Sequence, residues 1–217
     1  MAYITLNVAK LQSNFKYLNN LFRKNDIQWS VVTKMLCGNK DYLMEILSLG
    51  MKQICDSRVL NLKMIKTINP QIETIFIKPP AKWNIRDVVK YADISMNTEI
   101  TTIQRLSVEA QKQNKVHKII IMIELGELRE GIMGEDFIKF YQSVFKLKSI
   151  KVVGIGANLS CLNGVLPNQD KLIQLCLYEQ LIEAKFNTQI EYISGGSSVT
   201  IPLIFKKYCL KASTISE

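Results

Sequence analysis

One histidine, His117, serves the whole of this 217-residue chain, which excludes any chemistry that needs a histidine pair or cluster. It sits among lysines just before an apolar run, and it reads as a solvated loop residue. Cysteine is also sparse. Cys37, Cys55, Cys161, Cys176 and Cys209 are odd in number, widely spaced and without a C-x-x-C pair. Neither a disulfide framework nor a structural zinc site is expected, and the thiols should be reduced. No apolar run approaches membrane-spanning length, and the start Met1-Ala-Tyr-Ile-Thr-Leu-Asn-Val8 has no basic segment leading into a long apolar one. The expectation is a cytoplasmic protein with no membrane partner. The charge balance is basic, +9 from 28 Lys+Arg against 19 Asp+Glu, which favours anionic ligands. The lysines are scattered, however, with no dense block or interleaved aromatic stripe, so no nucleic-acid partner is expected. No linker or low-complexity stretch divides the chain, and a single domain over 1–217 is expected.

What is present describes a folded chain, with 47% hydrophobic and 22% charged residues. Asn7 suits the start of a helix whose Leu11, Phe15, Leu18 and Phe22 recur at helical spacing, and Trp29 to Thr33 follows as a buried strand. The alternation then repeats. A helix from Asp41 to Leu49 ends at Gly50, a strand covers Met51 to Cys55, and Asp56-Ser57 caps a helix that Asn69-Pro70 breaks. Strands are expected at Glu73 to Ile77, Asp93 to Met96, Lys118 to Ile123, Lys151 to Ala157 and Gln189 to Ile193. Helices fall between them, around Ile85 to Ala92, Glu99 to Asn114, from Glu135, and from Gln169 to Phe186.

Regular alternation with near-continuous apolar strands argues a parallel sheet covered by helices. Lys34, Asp56, Asn97, Glu124, Asn158 and Ser194 all follow strand ends, so the carboxyl rim is polar almost all the way round. That favours a TIM-type (β/α)8 barrel over an open sheet with one switch point. Lys34-Met-Leu-Cys-Gly38 also lacks the spacing of a dinucleotide-binding glycine loop. About seven strand-helix units are visible where a closed barrel takes roughly 250 residues, so the barrel is read as incomplete, without an eighth strand.

Four groups on that rim could carry chemistry, each beside a plainer reading. Lys34 could form a Schiff base with an aldehyde cofactor, or be a solvated lysine. Arg129, in Leu125-Gly-Glu-Leu-Arg129-Glu-Gly131, could hold a carboxylate or phenolate through its fork of donors, or sit in a surface turn with a charge pair. Gly154-Ile-Gly156-Ala-Asn158 could admit a planar ligand with the Asn158 amide beneath it, or its glycines could only permit tight packing. Ser194-Gly-Gly196-Ser197-Ser198 could form an anion cradle from backbone N–H groups and two hydroxyls, or be a loop. No metal-ligand set is evident.

These segments recur in order, together with Cys55-Asp-Ser-Arg58 and Asn61, Ile94-Ser-Met-Asn97-Thr-Glu99, and Val116-His-Lys118 leading into Glu124. Together they resemble the amino-terminal barrel of the alanine racemase superfamily, most closely its ornithine racemase-like branch, to about Leu210. The resemblance implies a fold-type III enzyme using pyridoxal 5'-phosphate (PLP), with Lys34 as the cofactor-bearing lysine and base. It implies Arg129 near the phenolic oxygen and substrate carboxylate, Asn158 against the pyridine ring, and Gly196, Ser197 and Ser198 at the phosphate. Ser197 stands where the family often has asparagine. The implied reaction is racemisation of an amino acid, ornithine or another basic one, by removal of the α proton from the substrate joined to the cofactor. Racemisation needs an acid on the opposite face, which in alanine racemases is a tyrosine from the carboxyl-terminal domain of the other subunit of a homodimer. The eighth strand and the β domain that follow the barrel in the family are absent from this sequence. A PLP-binding or vestigial barrel without turnover and a basic binding module are therefore the alternatives.

Overall fold

In the computed structural model the described residues are 5–206; Cys209 and the stretch Lys211 to Glu217 lie outside them. Seven parallel strands, β1 (Val31–Val32), β2 (Gln53–Asp56), β3 (Glu73–Phe76), β4 (Ile94–Asn97), β5 (His117–Met122), β6 (Ile150–Gly156) and β7 (Tyr192–Ser194), pair in sequence order. The helices are α1 (Val8–Lys24), α2 (Lys40–Ser48), α3 (Val59–Ile68), α4 (Ile85–Tyr91), α5 (Ile100–Lys112), α6 (Phe137–Phe145), α7 (Gln169–Phe186) and α8 (Ile201–Phe205). The sheet curls into an incomplete barrel, and among the described residues β1 and β7 are its two edges. All the strands share one direction, so every β-to-α loop opens on one rim.

Alternate strand residues enter two separate cores. Ile54, Phe76, Ile119, Ile121, Ile155 and Ile193 face outward and pack with Leu43, Leu62, Val88, Leu106, Tyr141 and Ile182 from the helices. Cys55, Ile75, Ile94, Ile120, Met122 and Val153 fill the inside. Burial on both faces is why the strands read as unbroken apolar runs. Truncating Ile54 or Leu62, both fully buried, to alanine should cost about 2–5 kcal/mol. Helix starts follow local capping chemistry: Asn7, Asn39 and Asn168 each accept a hydrogen bond from the backbone N–H three residues on, at 3.0–3.1 Å.

Three expectations need correction. The strand expected from Trp29 to Thr33 shrinks to Val31–Val32, because Trp29 stacks on Phe22 of α1, ring centroids 5.4 Å apart, instead of joining the ladder. The last strand slides forward from Gln189–Ile193 to Tyr192–Ser194, where its Ile193 enters the outer core. His117 is no loop residue. It opens β5 at 3% exposure, its Nε2 2.8 Å from the Ser95 hydroxyl. Burial, with Lys115 adding to it and Asp93 opposing, depresses its pKa to about 4.

Candidate active site

Lys34 begins a one-turn 3-10 segment, Lys34–Leu36, directly after β1. Its side chain is exposed and enters no ion pair or hydrogen bond among the described residues. The turn is held from behind by Asp56, the last residue of β2, which is fully buried. Its carboxylate accepts from the Thr33 hydroxyl at 2.9 Å, the Arg58 N–H at 2.8 Å and the Asn61 amide at 3.1 Å. Arg58 Nη1 also reaches the Lys34 carbonyl at 3.4 Å and the Cys37 sulfur at 3.3 Å. Asp56 was expected to cap α3; the residue at that cap is Arg58, and Asp56 ties the start of α3 to the turn carrying Lys34.

Arg129 lies in the excursion 124–131 after β5, whose ends meet where the Glu124 N–H donates to the Ile132 carbonyl at 3.0 Å and the Ile132 N–H donates to the Met122 carbonyl of β5 at 2.9 Å. Gly131 closes it at φ 153°, where a Cβ would stand 2.5 Å from the Glu124 nitrogen, so only glycine fits. Glu124 accepts from the N–H groups of Gly126 and Leu128. Arg129 is exposed and donates to the Cys161 sulfur at 2.6 Å. Glu127, two residues earlier, is fully buried, and its carboxylate accepts the N–H groups of Cys161, Asn163 and Val165 at 2.7–3.0 Å. Burial opposes its charge, but the amides of Asn163, Cys161, Val165 and Leu162 outweigh it and lower the pKa to about 2. Nothing in the sequence pattern marked Glu127 or Asp56 for these duties.

Asn158 follows β6 and donates to Glu130 at 2.8 Å, which joins it to the Arg129 loop. The glycines before it serve packing. A Cβ on Gly154 would lie 2.8 Å from the Tyr192 carbonyl oxygen, and one on Gly156 2.9 Å from the Ser194 Cβ, so both let β7 lie close against β6. After β7, Gly196, Ser197 and Ser198 are exposed at the entrance to a second 3-10 turn, Ser198–Thr200. Thr200 closes that turn by donating its hydroxyl to the Gly195 carbonyl at 2.9 Å.

The topology therefore puts Lys34 beyond the first edge strand, the Gly196–Ser198 turn beyond the last, and Arg129 and Asn158 between them, all on the carboxyl rim. A cavity of about 520 Å³ opens there, lined by Lys78, Thr98, Glu99, Arg129, Glu130 and Gly131 among others. A second cavity, of about 450 Å³, lies at the opposite, amino-terminal ends of the strands. Its lysines are committed: Lys66 to Asp93, Lys118 to Glu73, and Lys115 to the last carbonyls of α4. Among the described residues no cluster of three or more His, Cys, Asp or Glu could hold a metal ion, and no helix is long and apolar enough to cross a membrane.

Against known proteins, the solved structure of PipY from Synechococcus elongatus with PLP bound superposes at a TM-score of 0.76, with 16% identity, over 90% of this chain and 93% of that one. An ornithine racemase of Acetoanaerobium sticklandii is 38% identical over 204 residues, 94% of this chain and 57% of its own length. A lysine racemase of Thermotoga maritima is 23% identical over 99% of this chain and 58% of its own length. The chain thus spans somewhat over half the length of these two relatives. The family model described as the alanine racemase N-terminal domain matches residues 6–209. With that match over nearly every residue, and the incomplete parallel barrel beneath it, this chain belongs to the alanine racemase N-terminal domain family.

Proposed function

We propose that the protein is a PLP-dependent amino-acid racemase acting on a basic amino acid, ornithine foremost, with the cofactor carried by Lys34. The observation that carries this reading is an uncommitted amine after one edge strand and an uncommitted anion turn after the other, on one rim. The residues suit the cofactor. Lys34 has a free amine, and the Ser197 and Ser198 hydroxyls have no partner among the described residues. Gly196, at φ 106°, leaves open a space where a Cβ would press within 3.2 Å of the Thr200 hydroxyl. These groups would hold the aldehyde and the phosphate.

When bound, PLP supplies an electron sink for charge developing at the substrate α carbon. The chain's own residues do the rest. Arg129 holds the substrate carboxylate with its fork of donors. Asn158, fixed by Glu130, would help hold the cofactor ring. Lys34 would serve as base on one face, removing the α proton there in one direction of the reaction and supplying it there in the reverse. The acid that racemisation needs on the other face is assigned to none of the described residues. A basic substrate fits the charges of the rim cavity, where Arg129 and Lys78 share one space with Glu99 and Glu130. None of these four joins an ion pair among the described residues, so a ligand bearing a carboxylate and a distal ammonium finds a partner for each.

The test uses the full chain incubated with PLP, reduced with borohydride and digested. Mass spectrometry should find the pyridoxyl group on Lys34, and Lys34→Ala should carry none. Equal labelling of the variant sinks the assignment. In heavy water, the loaded chain should exchange the α hydrogen of ornithine, since that step needs one base only. Cofactor attachment without any exchange selects a binding barrel that does not turn over.

A further inference from the structure

The buried carboxylate of Glu127 has no part in the chemistry just described, and its surroundings are unusual for a residue two positions from an exposed arginine. Every hydrogen bond it accepts comes from a different loop. Cys161, Asn163 and Val165 lie 34 to 38 residues further along the chain, and they present backbone N–H groups to both of its oxygens. Asn163 returns the tie by donating its side-chain amide to the Glu127 carbonyl at 2.6 Å. Lys171 of α7 secures the same excursion through the Leu125 carbonyl. Between Glu127 and Arg129 stands Leu128 at φ 51°, a conformation that costs a residue with a Cβ about 1–2 kcal/mol. Such a backbone persists only where its surroundings over-determine it. The two loops joined in this way carry Arg129 and Asn158, and they touch again at Arg129 with Cys161 and at Asn158 with Glu130.

From this geometry we infer that Glu127 is a positioning residue, which locks the loop after β5 to the loop after β6 and thereby sets the Arg129 guanidinium where it meets a substrate carboxylate. The inference rests on the reading of Arg129 as the carboxylate anchor. Neutral replacements break the lock in a defined way: Glu127→Gln keeps the shape but turns an NH2 group toward backbone N–H groups, donor against donor. Glu127→Asp keeps the charge with a shorter reach, and it should fall between wild type and Glu127→Gln.

The experiment takes the full chain loaded with PLP and titrates propionate, a carboxylate that cannot react, following the absorbance of the bound cofactor. Glu127→Gln should bind propionate about tenfold more weakly, in keeping with the loss of charge-assisted hydrogen bonds, while still accepting borohydride-fixed cofactor on Lys34. A second reading needs no cofactor. Alkylation of Cys161 by iodoacetamide, located by peptide mass, should speed up by about threefold or more as its backbone N–H loses the Glu127 anchor. A merely structural carboxylate would lower the melting temperature and free Cys161 yet leave the propionate affinity of the folded variant at its wild-type value, and that result overturns the inference. Arg129→Gln separates the two layers of argument. Weaker propionate binding there with none in Glu127→Gln removes the role of Glu127 alone, whereas an unchanged affinity in Arg129→Gln removes the anchor reading on which it rests.

Discussion

Asp56 and Glu127 are both fully buried carboxylates, and each stands directly behind an exposed basic residue on the rim, Lys34 for the first and Arg129 for the second. Their partners differ in kind. Asp56 gathers the Thr33 side chain and the Arg58 N–H from the first two β-to-α connections and the Asn61 amide from α3. Glu127 gathers backbone amides from one distant loop. The first arrangement fixes a turn against its neighbouring helix, and the second fixes one loop against another. On the roles proposed for Lys34 and Arg129, the lesson is that solvent-facing groups are held in place by buried acids behind them.

The largest effect should come from removing the first of these acids. Asp56→Ala leaves the Asn61 amide and the Thr33 hydroxyl without an acceptor, and unpaired buried donors cost about 1–3 kcal/mol each, so a loss of about 4 kcal/mol is expected. Urea unfolding followed by circular dichroism measures it. A loss below about 1 kcal/mol would mean that the carboxylate merely tolerates its burial, and the pairing with Glu127 would then fail on energetic grounds.

A contrasting buried group lies at the far end of the sheet, and it tests what happens when donors are few. Glu127 keeps its charge because several amides face it, whereas His117 has one hydroxyl partner, Ser95, and burial drives its pKa down from 6.5 to about 4. Unfolding releases the imidazole to protonate, so between about pH 6.5 and pH 4 the unfolded chain binds the extra proton. Stability from this group is therefore complete above pH 6.5 and drains away toward pH 4, by about 3 kcal/mol in total. His117→Gln cannot titrate there, and its unfolding free energy should fall less steeply across the same window. Parallel curves for the two proteins would show that His117 protonates at little cost.

The same contrast explains what could be read from the residues alone. Strand-helix alternation, the Asn7 cap and the span Gln169–Phe186 follow from local periodicity and capping, which act within a few residues. Lys34, Arg129, Asn158 and the Gly196–Ser198 turn stood out because each lies in a segment that follows a strand onto the common rim. Asp56 was visible as a rim residue and a helix-cap candidate, but not as the anchor of the Lys34 turn, since its partners include Thr33 from the connection after β1. Glu127 was invisible, because backbone amides have no side-chain signature to announce an acceptor. His117 misled for a related cause: the flanking lysines of Val116-His-Lys118 suggest a surface loop, but the strand's alternation sends the ring into the protein while Lys118, next to it, reaches Glu73.

The smallest expected effect concerns the rim segment that has no buried acid behind it. The turn after β7 is held by Thr200, through its hydroxyl on Gly195 and its N–H on the Ser197 carbonyl at 2.9 Å, and its serines project into solvent. A hydroxyl on such a turn competes with water for a phosphate oxygen, and the bond it makes is one of several in the proposed cradle. Ser197→Ala should therefore weaken PLP binding only about fivefold, read by fluorescence titration of the full chain. Thr200→Val should weaken it more, although Thr200 is not proposed to touch the phosphate, because the hydroxyl that closes the turn would be gone. If Ser197→Ala proves the more damaging of the two, the individual hydroxyl matters more than the shape of the turn. The phosphate end of the proposed site would then differ from the Lys34 and Arg129 ends, behind each of which a buried carboxylate stands.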